Sequence, residues 1–550
     1  MAVHIETGSM VGPQHYSSQA LNHLGLVAGM YDELGLGELI DQVLVQDDAS
    51  RTVSLGQAVK AMVLNGLGFA HRALYLTPLF FKDKPVERLL GSGIEAEHLN
   101  DDVLGRALDR IYAYGPTQLY AQLATQAVQR LGLLCRFGHL DSTSFHVDGD
   151  YNRSIEEPEG VIRITQGYSR DHRADLNQVV LQLLCERQAG IPLLMEALSG
   201  HSSDKTSFRE TVKAYLEQLQ ADVGLEILIA DSALYTRETL KAMDAYAWIS
   251  RVPETLTLAG ELIHALAPEL MHDPTQEACC TLGTVYGDVR QRWVVVYSPQ
   301  ARQRALKSLN TPCLKQSEAE LKGFERLCHT DFACEADALN ALKHFENTLK
   351  MSRISEPSIQ AVPRFHGQGR PARGRTPDFY LYRITGALAS RVQEHQRRLE
   401  RKSCFILATN LLDDTLLSEA ELIAAYKDQH KVERGFRFLK DPMFMAATLY
   451  LKKPERIMAL MMVMTLCLLV YAALEHRIRE RLKAQQATFP DQKGKPNPRP
   501  TARWVFQYFK GIHVLVIGRA RELVLNVQQQ HYALLELLGQ RYVALYSGSG

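Results

Sequence analysis

Apolar positions recur at helical spacing through the first quarter of the chain. Residues 21–43 are apolar and amphipathic. Ser54 and Gln57 form a capping box that opens a helix running through Gly66. Asn100 or Asp101 caps another helix, with Leu104, Ala107, Leu108 and Ile111 at core spacing. Arg106 and Arg110 fall off that stripe, toward solvent, where a helix could be presented to a polyanion or simply be solvated. From Leu133 the period shortens to two. Residues 136–147, 161–169, 178–185 and 191–198 read as strands, the last pair joined by a turn at Ala189-Gly190. Residues 204–219 read as a helix. The nearly continuous apolar run 225–230 then ends in Asp231, the pattern of a strand buried on both faces. Residues 245–252 add one more strand.

The second half is more varied. Residues 284–297 read as a hairpin or two strands, 301–351 as mostly helical, and 403–410 as a strand. Between them, 364–375 combine Gly, Pro and Arg, a composition that suits either a solvated linker or arginines entering a narrow A·T minor groove. Ser418 and Glu421 form a second capping box, and the helix it opens is expected to run unbroken to Pro442. Residues 457–474 are an uncharged apolar run of membrane-spanning length. Its position directly after the helix at 418–442 favours a helix buried on all faces inside a large domain. A polar, Pro-rich linker at 484–500 precedes a small tail, 501–511 and 514–546, whose Trp504, Phe506, Tyr508 and Phe509 suit packing or dimer contact.

Composition narrows the class. The chain has 550 residues, 46% hydrophobic and 23% charged, the make-up of a folded soluble protein of several domains. Formal net charge is zero, so any nucleic-acid site must come from local basic patches. The nine cysteines are scattered, with no CxxC pair, which fits a reducing cytoplasm and not a zinc site. The first residues lack the charged-then-apolar pattern of a signal sequence. No phosphate-binding GxxxxGK[ST] loop is present, so nucleotide-driven chemistry is not indicated.

The candidate chemistry lies in three acids. Asp141 sits mid-strand among Ser and Thr, where a carboxylate needs a partner or a metal. Asp231 ends a buried strand, at the edge where open α/β sheets place ligands. Glu433 lies on the helix at 418–442, in one stripe with Tyr426, Gln429, Arg437 and Lys440. A carboxylate, two cations and a phenol on one face suit metal binding and a grip on a phosphate chain, although a solvated, salt-bridged face would look the same.

The spacing Tyr426-x2-Gln429-x3-Glu433-x6-Lys440 resembles the YREK signature of bacterial insertion-sequence transposases of the DDE type. The run from Phe436 to Pro442 is similar to the subgroup with a long N-terminal helical domain. Gln429 stands where the signature has Arg. Residues 167–173 also resemble a family motif. The resemblance implies a ribonuclease-H-like α/β core interrupted by an inserted mixed α/β domain, with an N-terminal all-helical domain and a small C-terminal helical tail. The boundaries expected are 1–132 for the helical, DNA-end-binding domain, 133–253 and 403–483 for the two parts of the core, 254–402 for the insertion, and 484–550 for linker and tail.

It implies further that Asp141, Asp231 and Glu433 are both catalytic acids and ligands of two Mg²⁺ ions, with Mn²⁺ a possible substitute. Such a pair, about 4 Å apart, serves both oxygens of an in-line phosphoryl displacement. Tyr426, Gln429, Arg437 and Lys440 would contact DNA, with Arg437 replacing the Arg absent at 429. The expected activity is cutting at terminal inverted repeats and joining of 3′ ends to target DNA, by a homodimer, in the cytoplasm at the nucleoid, without membrane or nucleotide cofactor. A metal nuclease on the same core and a non-catalytic DNA-binding relic remain open alternatives.

Overall fold

The computed structural model describes residues 16–44, 51–69, 74–147, 151, 160–168, 173, 175–367, 375–441, 451–517 and 521–548. The chain divides into two compact units, one of Met1–Ser250, Gly287–Val289 and Asp413–Gly550, the other of Arg251–Tyr286 and Arg290–Leu412.

The first unit is built on strands β1 (Phe137–His146), β2 (Gln178–Glu186), β3 (Pro192–Ser199), β4 (Ile227–Ala230) and β5 (Ala247–Arg251). Their order across the sheet is β3-β2-β1-β4-β5. The first three form an antiparallel meander, while β4 pairs parallel with β1 and β5 parallel with β4. The helix Asp204–Val223 makes the crossover from β3 to β4. The helix Arg237–Ala242 makes a second crossover, from β4 to β5, and this mixed sheet is the ribonuclease-H-like α/β core. All of β2 and β4 is buried, which is why β4 runs apolar without alternation, while β2 also buries Gln178, Gln182 and Glu186.

One expected strand is absent. Residues 161–168 make only an isolated bridge, Thr165 to Gln178. The chain here is pressed too closely to extend: a Cβ on Gly167 would stand 2.1 Å from the Gly200 carbonyl. The Gln178 amide donates to the carbonyls of Tyr168 and Gly200, at 3.1 and 2.7 Å, and so replaces ladder bonds with side-chain ones. Positions 169–172 of the 167–173 motif lie outside the described residues.

Helices α1 (Glu419–Lys427), α2 (His430–Leu439) and α3 (Pro454–Ala484) complete the core. The apolar window of α3 has mean hydropathy 2.5, enough to cross a membrane by length and composition, and 89% of it is buried inside the protein. The N-terminal helices Leu24–Glu33, Leu55–Leu67, Asp101–Tyr114 and Pro116–Leu131 pack directly on it. Residues 16–131 therefore share one compact unit with the sheet. Arg456 of α3 is bound by both oxygens of Asp109, each at 2.7 Å. The Ser54–Gln57 capping box forms, and Asn100 is the cap of the helix that follows it.

The tail packs on this same helical layer. The strand His513–Ile517 lies between Tyr16–Ala20 and Arg521–Leu525, antiparallel to both. Tyr542 donates to Glu33 and Tyr546 to the Asn22 carbonyl, each at 2.6 Å. Gly29 and Gly25 make room for those rings, since a Cβ at either would stand within 2.7 Å of them. The polar pentapeptide Tyr16–Ala20 has no alternation to announce a strand.

The second unit holds the antiparallel strands Ala278–Tyr286, Val289–Tyr297 and Cys404–Thr409, with helices Thr257–Leu270, Pro299–Cys328, Glu335–Thr348 and Val392–Ser403. A long two-stranded ribbon, Ser352–Arg364 with Phe379–Ser390, packs on the helical part. Arg364 and Arg375, two of the arginines expected to suit a minor groove, are paired with Asp331 at 2.6 Å and Asp378 at 2.9 Å. Residues 368–374 between them lie outside the described residues.

Leu466, fully buried in α3, faces no space into which neighbours could collapse freely. Leu466→Ala should cost about 2–5 kcal/mol of stability, read as a lowered urea midpoint by circular dichroism.

Candidate active site

Parallel pairing of β1 with β4 puts Phe137 opposite Ile227 and Leu140 opposite Ala230. The next residues in the same register are Asp141 and Asp231. In a parallel pair, residues in register point to the same face and neighbouring strands lie about 4.8 Å apart. The sheet thus brings the two aspartates side by side. Asp141 is only 7% exposed, and one of its oxygens accepts from the Ser142 N–H at 2.8 Å. Asp231 stands just past the end of β4. One of its oxygens accepts from the Ala233 N–H at 2.9 Å, and its carbonyl accepts from the Ser250 hydroxyl of β5 at 2.9 Å. Both carboxylates are held from behind by their own chain.

The helix expected over 418–442 is two helices. Ser418 caps α1, but the Glu421 carboxylate turns to Arg136 instead of closing the box. At Asp428-Gln429 the bonding tightens to i→i+3, with Gln429 N–H on Tyr426 O, Lys431 N–H on Asp428 O and Val432 N–H on Gln429 O. The cause is Asp428, a poor helix-interior residue, whose side chain is pulled out to Arg187 at 2.6 Å. Tyr426 and Gln429 consequently stand on the joint and the helix before it, while Glu433, Arg437 and Lys440 follow on α2.

Two anchors fix α2 along β1. At its start, Lys431 donates to the Arg187 carbonyl at 2.6 Å, and the Arg187 guanidinium lies 5.1 Å from the Phe137 ring. At its end, Lys440 Nζ lies 5.8 Å from the Phe145 ring. Phe137, Asp141 and Phe145 alternate onto one face of β1, so Asp141 falls midway between the anchors, beneath the middle of α2. Glu433 is carried on that helix, seven residues or roughly 10 Å of helix rise before Lys440.

The three acids do not close into one cluster. Among the described residues no group of three or more His, Cys, Asp or Glu could hold a metal ion. The Glu433 side chain is 59% exposed and points to Arg437, at 4.0 Å. Like charges repel one another at close range, and Glu433 stands with a cation instead.

Residues 136–470, more than half of the sequence, match the family described as the transposase DDE domain. The chain belongs to that family. Residues 16–125 match a domain of unknown function, DUF4277. No curated protein matches the transposase. Solved structures similar to it include the piggyBac transposase synaptic complex with hairpin DNA, at 8% identity over 90% of this chain and 82% of that one, with TM-score 0.36. Another is the Mos1 transposase paired-end complex with left transposon end, at 11% identity over 40% and 68%, with TM-score 0.16. DDE transposases are DNA-cleaving and strand-transferring enzymes that generally depend on divalent metal.

Sequence reasoning missed the parts of the transposase that hold α2 in place. Arg187 and Asp428 are 241 residues apart, and nothing local marks the pair. The joint did carry a signal in Asp428, since Asp favours a helix interior far less than Ala or Leu does. His139 was also missed. It is 1% exposed, on the same face of β1 as Asp141, and neither ring nitrogen has a hydrogen-bond partner. Burial pushes its pKa down to about 4; Asp428 opposes the shift, while Arg187, Lys431 and His430 add to it.

The ring is therefore neutral in the folded protein and titrates near 6.5 when unfolded. The unfolded chain takes up the extra proton, so this contribution to stability is complete above pH 6.5 and is lost as pH falls toward 4. His139→Leu removes that proton uptake. Between pH 6.5 and 4.5 the variant should lose about 2–3 kcal/mol less unfolding free energy than the parent, measured by urea denaturation at the two pH values.

Proposed function

We propose that this DDE transposase cuts DNA at terminal inverted repeats and joins the freed 3′ ends to target DNA, using Asp141, Asp231 and Glu433. The observation that supports the reading is the parallel register that sets Leu140 opposite Ala230, the residues immediately before Asp141 and Asp231, with the helix bearing Glu433 tied to the same strand through Phe137 and Phe145.

An all-carboxylate donor set suits a hard cation such as Mg²⁺ or Mn²⁺. Asp141 and Asp231 fit that role, being adjacent and each fixed by a backbone N–H. Glu433 joins them by leaving Arg437. Two ions held there would supply Lewis-acid activation of the attacking oxygen and charge stabilisation of the leaving one. The protein's own groups do the positioning. Lys440 grips a phosphate near the cut, and Tyr426 and Gln429 hydrogen-bond the backbone beside it. Arg437, 74% exposed and only loosely paired, is released to a phosphate when Glu433 moves, and so replaces the arginine absent at 429. A homodimer pairs the two ends before cutting. The site of action is the nucleoid in the cytoplasm, without membrane or nucleotide cofactor.

The test uses the purified chain and a duplex carrying the DNA that flanks its gene. With Mg²⁺, cleavage and strand-joined products should appear, and EDTA should abolish both. Asp141→Asn, Asp231→Asn and Glu433→Gln should each lower cleavage by more than about 100-fold, the scale of losing a main electrostatic contributor. Cleavage that never yields joined products would mean a metal nuclease. DNA binding by a parent chain that never cuts would mean a relic.

A further inference from the structure

Beside α2, a cavity of about 320 Å³ opens between α2, α3 and the helix Ala502–Tyr508. Gly435 brings its walls together: a Cβ there would stand 3.0 Å from the Leu468 side chain of α3. Phe438 of α2 and Tyr471 of α3 line it, with ring centroids 4.5 Å apart. Phe69 closes it, edge-on to Phe438 at 6.1 Å.

The lining is cationic. Lys431, Arg434, Arg437 and Arg503 line it together with the acids Asp441 and Glu475. Lys431 stands 3.8 Å from Asp428 and Arg437 4.0 Å from Glu433, both outside the lining. Asp441 holds Arg503 at 2.6 Å, while Glu475 holds Arg479 at 2.7 Å and accepts from the Ala502 N–H at 2.9 Å. Arg434 makes no ion pair or hydrogen bond among the described residues. Helix packing explains the rings but calls for neither the open volume nor the surplus of cations. The volume is at the lower end of small-ligand pockets. Aromatic faces beside guanidinium groups are the chemistry that recognises a nucleotide, the base by stacking and the phosphate by charge-assisted hydrogen bonds.

We propose that this cavity binds one nucleotide of single-stranded DNA, its phosphate on Arg434 and its base against the Phe438–Tyr471 pair. The site rests on the DNA-transposase reading above. Arg437, which lines the cavity, stands 4.0 Å from Glu433, so a strand seated there is held close to that acid.

The experiment uses the full chain in EDTA, where cleavage plays no part. Binding of fluorescein-labelled single-stranded oligo(dT) is followed by anisotropy for the parent, Arg434→Ala, Arg434→Lys and Phe438→Leu, with thermal midpoints checked for each. Arg434→Ala should weaken binding about 10-fold, Arg434→Lys by no more than about 3-fold, and Phe438→Leu by about 5-fold, the scale of losing one stacking contact. Unlabelled dTMP should displace the probe better than inorganic phosphate. Unchanged binding by Arg434→Ala would overturn the site, and phosphate competing as well as dTMP would overturn the nucleotide assignment. A chain that binds oligo(dT) through Arg434 but never cuts in Mg²⁺ keeps this site and loses the function proposed above. A chain that cuts while Arg434→Ala binds unchanged does the reverse.

Discussion

Two neighbouring strands running the same way, with Leu140 level with Ala230, fix where the two candidate aspartates stand. A slip of one residue in that pairing would turn every side chain of β4 to the opposite face and part Asp231 from Asp141. Register is enforced by burial. Ile227, Leu228, Ile229 and Ala230 are all buried, so a slip would force each side chain into a space packed for one of different size. Specificity of hydrophobic packing thereby becomes precision in placing two charges.

The third acid is held by a different logic. α2 is not part of the sheet. It is tied at its start by Arg187, Asp428 and Lys431 and at its end by Lys440 over Phe145, and it leans on α3 through Gly435. The elements that clamp it are polar contacts, and Glu433 itself is exposed and faces a cation. Asp141 is held within a strand, and Asp231, just past the end of one, is fixed by the Ala233 N–H and the Ser250 hydroxyl. Glu433 has room to move because it is carried by a helix whose exposed face is free of packing.

Much of this was legible in the sequence, and the parts that were not have specific causes. The order of strands around Asp141 and Asp231 followed from period-two alternation and one continuous apolar run. The burial of α3 followed from its composition and place. The division of 418–442 into two helices did not, because the decisive force on Asp428 comes from Arg187, far away in sequence. The missing strand at 161–168 reflects a backbone crossing at Gly167 and Gly200 that periodicity cannot show. The strand Tyr16–Ala20 exists because its partner exists, and five polar residues alone carry no sign of it.

That last pairing has a consequence for biogenesis. Residues 16–20 are made near the beginning of synthesis, yet the strand that receives them, 513–517, emerges from the ribosome almost five hundred residues later. Closing so long a loop is entropically expensive and slow. The helices at the front of the chain, though translated early, must wait unsealed until the tail arrives. A polypeptide that has not yet been extended through residues 513–517 therefore lacks this seam.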